Sequence, residues 1–440
     1  MVVGTEGQEI MQKLLLDYDH SLDSNGVNGK RLASRLDELS KIGLTENGGL
    51  RRIAFSPEER KAKELVKEWM KEAGLQIKED GAGNVFGRLE GKVKSSTVLS
   101  GSHVDSVPDG GHFDGPLGVI AALEVAQAWK DTGYVPNKSY EVVIFTDEEG
   151  ARFNGGLTGS RAMTGEVDIE FQKQLKDMNG IPFEEVIKRD GLNVEGFVEA
   201  KRDLSEIEAY VEVHIEQGKR LEKAQLPVGI VTGIAGPCWL NISVMGEAGH
   251  AGNTPMNDRK DALIAASELV IEIEKLAGEV SETAVATVGK LEVLPNGVNV
   301  IPGEVRMTAD IRDIHAESRD ELIQLIKDAA ERIKNRQQVD IQIEETYKIA
   351  PVPVEKEMQE KAAEAVKNTL QIEPFYLPSG AGHDAMIIGR YVPMAMLFTQ
   401  SKNGVSHNPS EWSSLQDCIQ TVHVLKALLE DLIQLKGETI

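Results

Sequence analysis

Thr97-Val98-Leu99-Ser100-Gly101-Ser102-His103-Val104-Asp105 is an apolar run that stops on a histidine and an aspartate. The same plan recurs along the chain. Tyr140–Thr146 runs into Asp147-Glu148-Glu149, Tyr210–Val213 runs into His214, and Met394–Thr399 is followed a few residues later by His407. Short apolar runs of this kind, separated by helical periodicity such as Leu117–Trp129, predict an α/β fold with a mostly parallel sheet covered by helices. Ligands of open α/β sheets bind beyond the carboxyl ends of the strands. Four such ends bearing metal-capable side chains therefore form a constellation.

Outward from these runs, the first ~30 residues read as a polar helical extension, and Arg31–Leu44 and Pro57–Ala73 carry apolar residues at helical spacing. The segment after Ile230 has a different rhythm. Strand Trp239–Met245, helix Asp258–Leu276, strands Ala284–Leu294 and Glu304–Arg312, helix Glu317–Ile333 and strand Val339–Tyr347 follow one another as β-α-β-β-α-β, the ferredoxin-like α+β pattern. Helix Glu357–Thr369, strand Val392–Thr399 and helix Leu415–Leu435 then resume the first rhythm. The expected plan is an α/β domain over 1–229 (with 1–28 as the extension) and 348–440, interrupted by a smaller domain over 230–347.

The 440 residues hold 71 Asp and Glu against 48 Lys and Arg, a net charge of −23, with 41% hydrophobic positions. That length is enough for two or three domains of ~100–200 residues, each with its own core. So acidic a chain repels phosphate backbones and anionic lipid, and no basic stripe with interleaved aromatics offsets the charge, so neither nucleic acid nor membrane is an expected partner. No apolar run approaches the ~18 residues of a membrane span, and acids interrupt the first thirty positions where a secretory signal would be apolar. Cys238 and Cys418 do not make a disulfide framework, which points to the cytoplasm.

Each strand end has a plain reading beside a chemical one. His103 and Asp105 suit a metal-ligating imidazole whose other ring nitrogen is held by a carboxylate, or a strand-end histidine capped by a loop acid. Gly110-Gly111-His112-Phe113-Asp114-Gly115-Pro116 sets an acid in a glycine-bracketed turn before the Leu117 helix. Its two oxygens can bridge two cations, and no Gly-Lys-Ser/Thr follows that would make a phosphate loop. Asp147-Glu148-Glu149 is either a solvated acidic turn or a crowd of like charges that a cation relieves, one acid ligating and a neighbour left free as a general base. His214-Ile215-Glu216-Gln217-Gly218 and Ser406-His407 add further histidines. Taken together, these ends favour a metal centre. No Gly-x-Ser-x-Gly elbow is present, and two cysteines cannot build a structural zinc site.

Seven motifs carry a resemblance over about Gly29 to Leu435. They are Gly-Ser-His-Val-Asp-Ser-Val, Gly-Gly-His-Phe-Asp-Gly-Pro-Leu-Gly, Thr-Asp-Glu-Glu-Gly-Ala-Arg-Phe, His-Ile-Glu-Gln-Gly, Gly-His-Ala-Gly-Asn-Thr-Pro-Met, Ser-Gly-Ala-Gly-His-Asp-Ala and Ser-His-Asn-Pro-Ser-Glu-Trp. Together they resemble the bimetallic amidohydrolases of the aminoacylase and carboxypeptidase G superfamily. The likeness is to the branch of N-carbamoyl-L-amino-acid hydrolases, allantoate amidohydrolases and β-ureidopropionases.

The resemblance implies two divalent ions per subunit, zinc, manganese, cobalt or nickel. One would be held by His103 and His214, the other by Glu149 and His407, with Asp114 bridging. Glu148 would be the general base and Asp105 the partner of His103. His383 matches no metal position and would line the substrate pocket, with Gln217 assisting placement. From the insert, a lid and dimerisation domain in this reading, His250 would stabilise the developing oxyanion, while Asn299 and Arg312 would grip the substrate carboxylate. Arg312 paired at the surface with Asp310 or Asp313 is the plain alternative. The implied reaction is hydrolysis of N-carbamoyl-L-amino acids to amino acid, carbon dioxide and ammonia, in a homodimer formed through the insert. Allantoate or a β-ureidopropionase substrate is the alternative. A metal-free binding or dimerisation protein of the same fold is disfavoured, because every ligand and base position is filled.

Overall fold

Residues 6–434 are described by the computed structural model. Within them the chain forms two units, 6–231 with 354–377 and 383–434, and 232–353 with 378–382. The first five positions of the expected extension, and Leu435 at the expected end of the last helix, lie outside the described residues. In chain order the first unit carries helices α1 (Glu6–Leu15), α2 (Gly29–Ser40) and α3 (Pro57–Glu72) and strands β1 (Gln76–Glu79), β2 (Val85–Leu89) and β3 (Val93–His103). Helix α4 (Pro116–Thr132) and strands β4 (Lys138–Phe145), β5 (Ile207–Ile215) and β6 (Val228–Ile234) follow. The insert contains β7 (Gly236–Met245), β8 (Gly249–His250), β9 (Val285–Leu294), β10 (Val300–Ile301), β11 (Glu304–Asp313), β12 (Asp340–Lys348) and β13 (Val352–Pro353), and β14 (Tyr376–Ser379) and β15 (Met394–Thr399) come after it.

The sheet of the first unit runs β1-β2-β4-β3-β5-β15-β6. Its centre, β4, β3, β5 and β15, is parallel, and β4 is buried along its whole length, as a strand covered on both faces must be. The margins are antiparallel, so the expected parallel character belongs to the central strands. Asp80 explains one margin: its carboxylate accepts from Ala82 N and Asn84 N, closing a tight turn that only an antiparallel pair can use. Parallel register levels the strand ends. His103 lies opposite Phe145 and Phe398 opposite His214, so the loops after all four strands emerge along one edge.

Two expected helices end differently. Helix α2 starts at Gly29, where the Asn28 side chain accepts from Arg31 N, and it stops at Ser40. Gly43, at φ +80°, then takes a conformation that terminates helices. Among the described residues, the extension holds a short 3-10 helix, His20–Leu22, and an α-helix over Glu6–Leu15 alone. Beyond it the Asp19 side chain accepts from Ser21 N, and Asn25 and Gly26 take positive φ, so turn chemistry outweighs helical spacing. Short helices between residues 158 and 206 bring Phe183 and Phe197 onto Phe55 and Phe153, an apolar cluster the sequence periodicity did not foretell.

In the second unit the order β12-β7-β11-β9 is wholly antiparallel, and helices Ala262–Val280 and Ala316–Gln337 pack against one face. Cys238, Leu240, Ile242 and Val244 of β7 point into that core. The alternate residues, Trp239 and Asn241 among them, are exposed on the opposite face.

Helix α4 begins two residues after Asp114 and is buried along almost its whole length. Its one fully buried acid, Glu124, accepts from Arg31 Nη2 at 2.6 Å, from Asn28 N at 2.9 Å and from Arg35 Nη1 at 3.4 Å. Removing one side of a buried ion pair strands the other in low dielectric. Glu124→Gln is therefore expected to cost roughly 3–5 kcal/mol of unfolding free energy in urea melts. A loss under ~1 kcal/mol, the range of an exposed pair, would deny the cluster that role.

Candidate metal centre and active site

The loops at the edge of the parallel strands bring five of the expected residues together. Among the described residues two groups of three, His103, Asp114 and His214, and Asp114, Glu149 and His407, each place ligand atoms within 4.8 Å of one another, with Asp114 in both. Asp114 Oδ1 lies 3.1 Å from His214 Nε2 and 3.7 Å from His103 Nε2. Its Oδ2 lies 3.5 Å from His407 Nε2, which is 3.3 Å from Glu149 Oε2.

The imidazoles are set by the main chain. His103 Nδ1 bonds the Asp105 carbonyl at 3.1 Å and His214 Nδ1 bonds the Ile215 carbonyl at 3.0 Å, so in the neutral rings each Nε2 keeps a free lone pair. The Asp105 carboxylate, 3.5 Å from His103 Nδ1, has a larger task than the sequence suggested. It accepts from Glu148 N at 3.3 Å and Glu149 N at 3.2 Å, fixing the acidic loop against the His103 strand. Asp147, Gln217 and His407 hold left-handed backbone, at φ 57°, 55° and 53°. Such non-glycine strain costs on the order of 1–3 kcal/mol per residue and gathers at functional sites.

Charge at the site is out of balance. Burial, with Glu149 and Asp384 nearby, pushes the Glu148 carboxyl well above the usual range although His103 opposes it. Burial and Asp114 push Glu149 up. Asp114 goes the other way: burial would raise it, but His214, His103 and Ser406 hold it well below the usual range. His103 Nε2 is buried without a hydrogen-bond partner, 3.6 Å from Glu148 Oε2. An orphaned ring nitrogen among crowded carboxylates fits a cation, and mixed nitrogen and oxygen donors suit zinc, manganese, cobalt or nickel.

The remaining candidates fall into two settings. In the first unit, Gln217 Nε2 donates to Asp114 Oδ2 at 2.7 Å. His383 is buried with its ring 4.5 Å from that of His214, and burial together with His214 keeps it neutral, well below the ordinary histidine range. In the second unit, exposed His250 and Asn299 meet on the β8–β10 ribbon, where Ala251 N donates to the Asn299 carbonyl at 3.0 Å. Arg312 pairs with Asp310 through Nε and Nη2 and gives Nη1 to the Gly380 carbonyl at 2.7 Å, so the Asp310 contact of the plain alternative is present.

Glu411 was missed. Its carboxylate accepts from Phe113 N at 2.8 Å and Asp114 N at 3.1 Å, holding the Asp114 loop. The Ser406 hydroxyl stands between the two acids, 2.5 Å from Asp114 Oδ2 and 2.9 Å from Glu411 Oε2. Burial and the Asp114 charge push Glu411 up to about 7. The glycines of this loop are required by contact. A Cβ at Gly111 would lie 2.0 Å from the Glu411 carboxyl carbon, and at Gly115, φ +79°, 2.4 Å from the His103 ring. The signal was present in Ser-His-Asn-Pro-Ser-Glu-Trp, but nothing local ties its acid to a loop 297 residues earlier.

With this geometry in place, comparison gives the class. The chain belongs to peptidase family M20/M25/M40, whose profile matches residues 99–431, and it is a hydrolase acting on C–N bonds, an amidohydrolase. It is 46% identical to an N-carbamoyl-L-amino acid amidohydrolase of Geobacillus stearothermophilus over 93% of this chain and 99% of that one. It is 37% identical to an allantoate amidohydrolase of Bacillus subtilis, over 90% and 96%. A solved amidase of the hydantoinase/carbamoylase family from Burkholderia multivorans superposes with a TM-score of 0.86 at 33% identity, covering 92% of this chain and 98% of that one.

A ligand that holds a proton at neutral pH must give it up to a cation. His407, raised to about 9 by Glu149 against the opposing effect of burial, holds such a proton. Zinc binding at pH 7 is expected to release protons, fewer as the pH rises through about 9. Calorimetry in two buffers of different ionisation enthalpy measures this. Heats independent of the buffer would show the ligands already deprotonated.

Proposed function

We propose that the chain hydrolyses the ureido C–N bond of N-carbamoyl-L-amino acids, giving the L-amino acid, carbon dioxide and ammonia. The observation that carries this reading is the pair of ligand groups sharing Asp114, with Glu148 left outside both. Likeness to the Geobacillus enzyme supports the substrate class. Likeness to the Bacillus allantoate enzyme keeps allantoate as a second reading, since it too has ureido and carboxylate groups. Two divalent cations, held by His103, Asp114 and His214 and by Asp114, Glu149 and His407, would polarise the carbonyl and acidify water.

The chain's own residues supply the rest. Glu148, whose proton affinity is raised by burial, takes a proton from the attacking water and passes it to the departing nitrogen. His250 Nδ1 accepts from Gly252 N and Asn253 N, so its neutral ring carries the proton on Nε2 and donates to the oxygen where charge develops. Arg312 has committed three of its five N–H groups, leaving one on each terminal nitrogen. Two parallel donors are what a bidentate carboxylate needs. Asn299 joins that grip, Gln217 orients substrate beside Asp114, and neutral His383 lines the pocket. A homodimer through the second unit is part of the reading. So is the cytoplasm, which suits two free, buried cysteines.

Ammonia release from a panel of N-carbamoyl-L-amino acids and allantoate, with metal removed and restored, tests the reaction. Turnover of neither class would refute it. Glu148→Gln should keep its metal and lose ~10²–10⁴-fold in kcat, whereas Glu149→Gln should lose metal as well; elemental analysis showing the reverse would exchange the two roles. Arg312→Ala should lower kcat/KM severely for the acids and far less for matched carboxamides. Equal losses on both would remove Arg312 from carboxylate recognition.

A further inference from the structure

The open face of the second unit's sheet is not uniform. Trp239 and Tyr347, directly opposite one another on β7 and β12, stack with ring centres 4.5 Å apart at 31° while remaining 45% and 40% exposed. With Asn241, Val285, Thr287 and Thr308, Trp239 lines a cavity of about 620 Å³ that also takes in Asp310 and Arg312, while Tyr347 packs on the Trp239 ring without lining it. A volume of that order is typical of a small-molecule site. Register places Arg312 opposite Pro237 and Asp310 opposite Trp239. Trp239 is thus the diagonal neighbour of Arg312, with backbones about 7–8 Å apart and within reach of an aromatic side chain.

We propose that this cavity is the side-chain subsite of the amino-acid substrate, and that it selects large aromatic side chains. The inference rests on the reading that Arg312 holds the substrate carboxylate. In an α-amino acid the first side-chain carbon lies about 2.5 Å from the carboxyl carbon. A carboxylate on the two remaining Arg312 donors therefore starts its side chain at the cavity wall. A flat ring entering there meets the Trp239 ring, itself packed on Tyr347, and covers apolar surface that is otherwise wet. Asn241, Thr287 and Thr308 can bond the phenol of a tyrosine side chain or the indole N–H of a tryptophan side chain. A one-hydrogen side chain gains none of this, and an acidic one meets the Asp310 carboxylate.

The test uses the full-length, metal-loaded protein carrying Glu148→Gln, so that ligand binds without being consumed. Calorimetry should find N-carbamoyl-L-phenylalanine bound about tenfold or more tighter than N-carbamoylglycine. Trp239→Ala should bring the two affinities within about threefold, and Thr287→Phe, which fills the cavity from its wall, should do the same. Both positions are exposed, so neither change threatens the core. A ratio unchanged by either substitution, or equal weakening of both ligands, overturns the subsite. So does a shift from dimer to monomer on Trp239→Ala with the preference intact, which would make this face an interface between copies. Carboxamide analogues bound as tightly as the acids would instead remove the Arg312 grip, while the phenylalanine-to-glycine ratio among the carboxamides still reads the subsite. Aromatic preference in binding without turnover of the catalytically intact protein would leave the subsite standing and refute the ureido reaction.

Discussion

One carboxylate, that of Asp114, is shared by two sets of donors, and sharing works only if the loop that carries it cannot drift. Glu411 accepts both amides at its tip, Gly111 leaves room for that carboxyl, and Gly115 lets the backbone press against the His103 ring. Helix α4 then starts from the loop and is sealed into the unit by Glu124 and its two arginines. Position is thus handed from a buried helix to a loop, and from the loop to two oxygens. The neighbouring acids follow the same logic: Asp105 binds the amides of Glu148 and Glu149, so the spacing of these two residues is set by backbone.

Much of this was legible because parallel sheets report their own ends. The apolar runs before His103, Asp147 and His214 have strand length, and parallel topology obliges the residues that follow to share an edge. Alternation on β7 exposed the insert's pattern equally plainly, since buried Cys238, Leu240, Ile242 and Val244 interleave with exposed positions. Glu411 could not be read in the same way: its partners are main-chain amides, which no side-chain pattern encodes. The helices between 158 and 206 escaped for a different reason. They are too short to display a period, and an aromatic cluster holds them instead of an amphipathic stripe.

Arg312 shows where residue type alone misleads. A guanidinium beside two aspartates reads as either a surface pair or a carboxylate grip. The two are compatible, because Asp310 takes Nε and one Nη2 hydrogen and the Gly380 carbonyl one Nη1 hydrogen, which leaves two donors for the proposed grip. Asp310 then acts as a brace that restricts the long side chain, and a braced arginine loses less entropy when it meets a second carboxylate.

The rings of His103 and His214 take their orientation from carbonyl oxygens of their own strand ends, and the acids from amides. Backbone carbonyls thus share in aiming both rings, work that in small zinc domains falls to the metal itself. A site aimed in this way would admit exchange, one ion withdrawn and another seated without the chain refolding. The element found in it would then be a record of what the surrounding fluid supplied, and two preparations of one polypeptide would differ in chemistry while sharing every atom of protein.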